Sequence, residues 1–209
     1  MSPKQVGPGQ AGPGQTGPGQ AGPDQDPRTE RTRSRLRAAL LAECAERPLA
    51  ELGVAALTRR AGVGRATFYL HYPDLQALAV DACAEVVRAG VEALHAWRGL
   101  PDPAVPPPAL ARFLGTLAGH GPLYRALLTP EGGGPLGELM HRELREYSRR
   151  ERELAGAPQA GLVATAVAAT FTGLLADWLH GGIAATPEKL AGRSWRLLIA
   201  LHRTPLDPA

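Results

Sequence analysis

The sequence predicts an all-α protein of about nine helices, an N-terminal three-helix unit followed by a larger helical C-terminal part. Apolar residues recur at three- and four-residue spacing from Thr29 onward. No stretch shows the apolar/polar alternation between turn signals that a half-buried strand requires. Breakers at Pro48, Gly62, Pro73, Pro101 to Pro108, and Gly181 with Gly182 divide the helical pattern into segments.

The first helix is expected over about Thr32 to Arg47, with Leu36, Leu40, Leu41, Cys44 and Ala45 as its apolar positions and Pro48 closing it. A short second helix fits Val54 to Ala61, with Gly53 as its cap and Gly62 supplying the left-handed exit. A third fits Arg65 to Tyr72 and must stop before Pro73. Asp74 is a good N-cap for a long fourth helix reaching about Trp97. After the proline-rich loop, helical patterns run from Ala109 to Gly119, Leu123 to Leu128, Leu136 to Leu154, Pro158 to His180 and Pro187 to Thr204. In the Leu136 to Leu154 segment, Leu136, Leu139, Met140, Leu144 and Tyr147 are expected to face inward beneath a charged outer face.

Residues 6 to 25 are four units of a five-residue repeat, beginning V-G-P-G-Q, with nothing to bury, so residues 1–27 are expected to be a disordered tail. The remainder divides into a compact unit over 28–73 and a helical domain over 74–209. The N-terminus lacks an apolar run and a cleavage site, which leaves the cytoplasm as the expected compartment. Gly161 to Ala176 is weakly polar but carries Thr165, Thr170 and Thr172, and is read as a buried helix, not a membrane span. Cys44 and Cys83 are too few for a disulfide framework and are read as reduced core thiols.

The formal charge of +3 is unevenly spread. Residues 28 to 72 hold nine Lys or Arg against four Asp or Glu, whereas residues 73 to 209 hold thirteen against fourteen. One short segment carries the positive excess, which points that segment at a polyanion. The same segment contains the G-V-G link, Gly62 to Gly64, too short for anything but a sharp turn between two helices. That is helix-turn-helix geometry, in which the second helix enters a DNA major groove.

The run A-G-V-G-R-A-T-F-Y-L-H-Y-P, Ala61 to Pro73, makes the reading specific. Together with its flanks from Arg35 to Leu78 it resembles the N-terminal domain of the tetracycline-repressor-like (TetR) family of transcriptional regulators, matching at Ala61, Gly62, Val63, Thr67, Phe68, Tyr69, His71, Tyr72 and Pro73. The resemblance implies that Arg65, Ala66 and Thr67 open the recognition helix toward base edges, and that Tyr69 and His71 contact the DNA backbone. It further implies that Phe68, Tyr72 and Leu57 face inward. Gly53, Val54 and Leu75 stand where the family commonly places polar or basic phosphate anchors. Phosphate contacts are therefore expected from Arg31, Arg33, Arg35 and Arg37, with Arg59 and Arg60 as further candidates.

The same resemblance implies a C-terminal domain that binds a ligand and dimerises. Candidate ligand-binding residues are Trp97, Phe113, Leu117, Tyr124, Leu128, Met140, Tyr147, Phe171 and Trp178, each of which would serve equally in a plain core. Dimerisation is assigned to Val163, Val167 and Leu174 on one helix and Leu190, Leu197, Leu198 and Leu201 on the next. Asp177 and His180 fall on one helical face, as an ion pair or ligand contacts. No catalytic motif or metal-ligand spacing is found, so an enzyme, a cofactor and a metal are not expected. The expected function is a ligand-released homodimeric repressor binding a palindromic double-stranded operator, with a small apolar or amphipathic inducer and no membrane partner. The alternative is a helical interaction protein whose degenerate helix-turn-helix no longer binds DNA.

Overall fold

The computed structural model describes residues 27–95 and 101–204. The N-terminal repeats and Trp97 lie outside these residues. The described chain is helical throughout, with α1 at Pro27–Glu46, α2 at Val54–Ala61, α3 at Arg65–His71, α4 at Leu75–His95 and α5 at Pro108–Gly119. They are followed by α6 at Gly121–Leu127, α7 at Gly134–Leu154, α8 at Ala160–Leu179 and α9 at Pro187–Arg203. A single 3₁₀ turn, Leu49–Glu51, links α1 to α2.

α1 is already helical at Pro27, earlier than the apolar spacing predicts. The arginines there are good helix formers, so the first turn forms without an apolar face. α2 matches its expected limits because its ends are set by local chemistry. Gly62 adopts φ 60° and ψ 40°. Its N–H donates to the Arg59 carbonyl, and the Val63 N–H donates to the Thr58 carbonyl at 3.0 Å, the paired bonds of a Schellman ending. Arg35 on α1 donates from Nη2 to the Gly62 carbonyl at 2.9 Å, pinning the turn onto α1. α4 opens as expected, with Asp74 Oδ1 accepting from the Ala77 N–H at 2.7 Å.

A Cβ on Gly62 would lie 2.6 Å from Arg35 Nη2, and an L-residue at this φ carries an intrinsic cost. The arginine tip can swing away, so backbone strain dominates. Gly62→Ala is expected to lower the unfolding free energy by about 1–2 kcal/mol in urea titration.

The N-terminal unit closes around Leu36, Leu40, Leu57, Ala61, Phe68, Tyr72 and Leu78, all buried. In the C-terminal part α7 and α8 form the most extensive pair, α9 packs on α8 and α5, and α4 crosses to α7. α4 therefore belongs to both halves. α6 also touches the 3₁₀ turn, a second contact between the two. α8 is long and apolar enough to cross a membrane, but half of its apolar window is buried against its neighbours. A soluble core helix has the same composition.

Candidate nucleic-acid interface

The recognition-helix candidate α3 has two distinct faces. Phe68 is fully buried and Tyr72 nearly so, their ring centroids 6.1 Å apart. Tyr69 packs edge-on against Phe68 with 5.2 Å between centroids, yet remains 53% exposed. Arg65, Ala66, Tyr69 and Leu70 face solvent, while Thr67 and His71 are half-buried at the margin. Leu70, at 83% exposure, is an outward residue of this face that the family motif did not single out. Its signal was available: it lies between two positions of the α3 surface, and within the helix the one apolar residue three or four positions away is Ala66, itself exposed.

The basic residues around α3 separate into two groups. Arg31, Arg35 and Arg59 are exposed, although Arg35 already holds Gly62. Arg33, Arg37 and Arg60 are engaged with partners inside the protomer. Arg33 donates from Nε to the Tyr72 hydroxyl at 3.3 Å and lies 5.6 Å from the Tyr72 ring centroid. Arg37 donates from Nη1 to Asp81 Oδ2 at 3.1 Å and also bonds Glu30. Arg60 reaches Glu46 at 2.9 Å and Glu43 at 3.3 Å, and Arg47 bonds the same Glu43. The expectation of four equivalent phosphate ligands on α1 is corrected here. Asp81 and Glu43, acidic residues facing the seams of the three-helix unit, take up Arg33, Arg37 and Arg60.

Asp81 on α4 was not anticipated as a hub. It accepts from the Tyr72 hydroxyl at 2.5 Å as well as from Arg37, so one carboxylate ties the end of α3 to α1 and α4. An acid among the apolar positions Leu78, Ala79 and Ala82 was its sequence signal. Burial, followed by the bond to Asp81, pushes the Tyr72 hydroxyl up to about 12. Because the folded pKa lies above the unfolded value of about 10, the protonated phenol favours the fold below that pH. This contribution is lost as pH rises from 10 through 12. Burial likewise pushes the Cys83 thiol up to about 12, adding to the alkaline loss. In thermal melts, Tyr72→Phe should show a shallower fall in stability between about pH 10 and 12 than the parent protein.

Phe113, Leu117, Tyr124, Leu128, Met140 and Phe171, named as ligand-binding candidates, are all buried in one continuous core. Phe113 and Phe171 stack with centroids 6.4 Å apart. Gly90 admits this arrangement, since a Cβ there would fall 2.5 Å from Phe113 Cδ2. Trp178 is half-buried and donates from Nε1 to the Ala185 carbonyl at 2.8 Å. Tyr147 is corrected to the surface, 37% exposed. The buried row on α7 advances by whole four-residue steps through Leu136, Met140, Leu144, Ser148 and Arg152, rotating Tyr147 outward. Open clefts lie between α4 and α5 beside Gly90 and Phe113, about 330 Å³, and along α7 and α8 beside Gly133, His141 and Arg145, about 860 Å³.

Four of the dimerisation candidates also need correction. Val163, Val167, Leu190 and Leu198 are buried within the protomer and cannot meet a partner. Leu174 and Leu201 are half-buried, and Leu197 is 49% exposed. Leu162, 59% exposed, joins them on the outer surface of α8. Periodicity identified apolar rows on these helices without distinguishing the row that faces α7 from the one left outside. Asp177 and His180 do not pair: the His180 ring Nε2 lies 2.8 Å from the Leu128 carbonyl.

A short helix docked across a glycine turn, with its outer face exposed and basic groups beside it, has helix-turn-helix geometry. Residues 36–82 match the family described as bacterial regulatory proteins, tetR family. The match runs from α1 into the first turns of α4, so over the helix-turn-helix unit the chain is similar to that family.

Among solved structures the fold is shared with a TetR transcriptional regulator from Rhodococcus sp. RHA1, at 19% identity over 82% of this chain and 97% of that one, TM-score 0.57. It is shared with the TetR-family repressor AlkX from Dietzia sp., implicated in biodegradation of n-alkanes, at 16% identity over 87% and 98%, TM-score 0.57. RolR in complex with resorcinol is similar at 21% identity over 86% and 97%, TM-score 0.54. No curated protein sequence matches the chain.

Proposed function

We propose that the protein is a homodimeric repressor that binds a palindromic operator through paired α3 helices and is released by a small apolar or amphipathic ligand. The observation that carries this reading is the division of α3, whose inner aromatics fix the helix while Arg65, Ala66 and Tyr69 remain outside. Arg65 reads a guanine edge, Thr67 approaches a phosphate or thymine methyl, and Tyr69 and His71 set the register on the backbone. Arg31 and Arg59 are the remaining phosphate ligands, with Arg35 shared between the turn and the DNA.

Dimerisation uses the outer surface of α8 and α9 through Leu162, Leu174, Leu197 and Leu201, apolar groups that a lone protomer leaves in water. The dimer sets the spacing of the two α3 helices at about 34 Å or a multiple. Ligand entering the C-terminal core changes that spacing through α4, which spans both halves, and α6, which touches the 3₁₀ turn. RolR binds resorcinol and AlkX is implicated in n-alkane biodegradation. A molecule of comparable size and polarity is the ligand class we assign here, and the packed apolar core must open to admit it. The protein acts in the cytoplasm, where its DNA is.

Gel-shift titration against the intergenic DNA upstream of the protein's own gene tests the reading. Arg65→Ala should weaken operator binding by about 1–3 kcal/mol and relax preference at one base position. Arg31→Ala should weaken all sequences alike and reduce the slope of log K against log salt by about one. If no palindrome is retained in a genome-wide selection at low salt, the chain is an interaction protein that has lost DNA binding.

A further inference from the structure

The C-terminal end of α7 holds a buried cation without a matching anion. Arg152 is 9% exposed, and no carboxylate pairs with it among the described residues. Its Nη1 donates to the His202 carbonyl at 3.1 Å and its Nη2 to the Pro158 carbonyl at 3.4 Å, but Nε has no partner. One turn earlier on the same face, Ser148 is fully buried and its hydroxyl also lacks a partner. The His202 carbonyl in the last turn of α9 and the Pro158 carbonyl before α8 offset part of the desolvation of the guanidinium, but a charge withdrawn from water normally requires an opposite charge. Two unused donors four residues apart on a helix can share one two-oxygen acceptor.

Leu144, one turn before Ser148, borders a small apolar cavity together with Leu94, Val167, Leu198 and Ile199. This cavity holds only about 10 Å³, so an occupant must part these side chains. Leu94 lies in the last turn of α4, the helix that leads back to α3.

We propose that Arg152 and Ser148 form the head-group site for a small amphipathic carboxylic acid, whose apolar body enters between Leu94, Leu144, Val167 and Ile199. The proposal deepens the ligand-release reading and rests on it for its effect on DNA. Binding itself is independent of DNA.

The test is calorimetric titration and thermal melting of the full chain with octanoate and benzoate, each against its amide, octanamide and benzamide. The acids should raise Tm and the amides should not. Ser148→Ala removes a hydroxyl that bonds nothing, so it should leave the ligand-free Tm unchanged while lowering acid affinity by about 10-fold or more, the scale of a hydrogen bond to a charged group. Arg152→Lys keeps the charge but loses the fork and should lower acid affinity further. Equal binding of acid and amide, silence from both acids, or unchanged acid affinity in both variants overturns the proposal. Acid binding that leaves operator affinity untouched supports the site and removes ligand release. Operator release by a neutral compound, with no acid bound, does the reverse.

Discussion

Phe68→Ala should destabilise the N-terminal domain by about 3–5 kcal/mol, whereas Tyr69→Ala, one residue on, should change stability little and act on DNA instead. Phe68 is fully buried in the core and makes ring contacts with both Tyr69 and Tyr72. Its truncation removes transfer free energy and leaves a cavity in a unit whose core has few large side chains. A three-helix domain of this size has stability comparable to that loss, so operator binding should vanish with the fold. Tyr69 has half its surface in water, and its alanine variant forfeits one edge-to-face contact of about 0.5–1.5 kcal/mol. Urea unfolding separates the pair: a large midpoint drop for Phe68→Ala with a near-parental midpoint for Tyr69→Ala is expected. Comparable midpoints would place the two rings in the wrong register.

This contrast marks how far the sequence was legible. α2, α3 and the turn between them could be read to within a residue because local chemistry sets their limits: a glycine at positive φ, an Asp74 cap and a proline that α3 cannot cross. The burial of Phe68, Tyr72 and Leu57 followed from the family motif. Partner choice among charges was not legible. Arg31 and Arg33 are both arginines on one turn of α1, but only Arg33 faces Tyr72, and that depends on where α4 brings Asp81. The same limit applied to α8 and α9, where Val163 and Leu162 are adjacent apolar residues about 100° apart around the helix, one buried and one exposed. Periodicity identifies a row, and tertiary packing decides what it meets.

Glycines inside the helices show the limit most sharply, because the sequence cannot distinguish an idle glycine from a required one. Gly137→Ala should lower the unfolding free energy by about 1–3 kcal/mol, and Gly115→Ala should raise it by about 0.5–1 kcal/mol. Both lie within helices, α7 and α5, where alanine has the better intrinsic propensity by about 1 kcal/mol. At Gly115 nothing lies within 4 Å of an added Cβ, so the propensity gain stands alone. At Gly137 the Cβ would fall 2.1 Å from the Gly132 carbonyl oxygen and 3.1 Å from Leu128 Cδ1. The first of these atoms is backbone and cannot rotate away. It belongs to the turn before α7, where Gly132 and Gly134 both adopt φ 80° and the Thr129 N–H donates to the Gly133 carbonyl. A Cβ on Gly134 would itself fall 2.7 Å from the Leu127 carbonyl oxygen, so the turn has little room to retreat. Overpacking therefore exceeds the propensity gain at Gly137. Opposite signs of the two shifts in urea midpoint would bear this out, and a stabilised Gly137→Ala variant would mean that the turn is free to move away from α7.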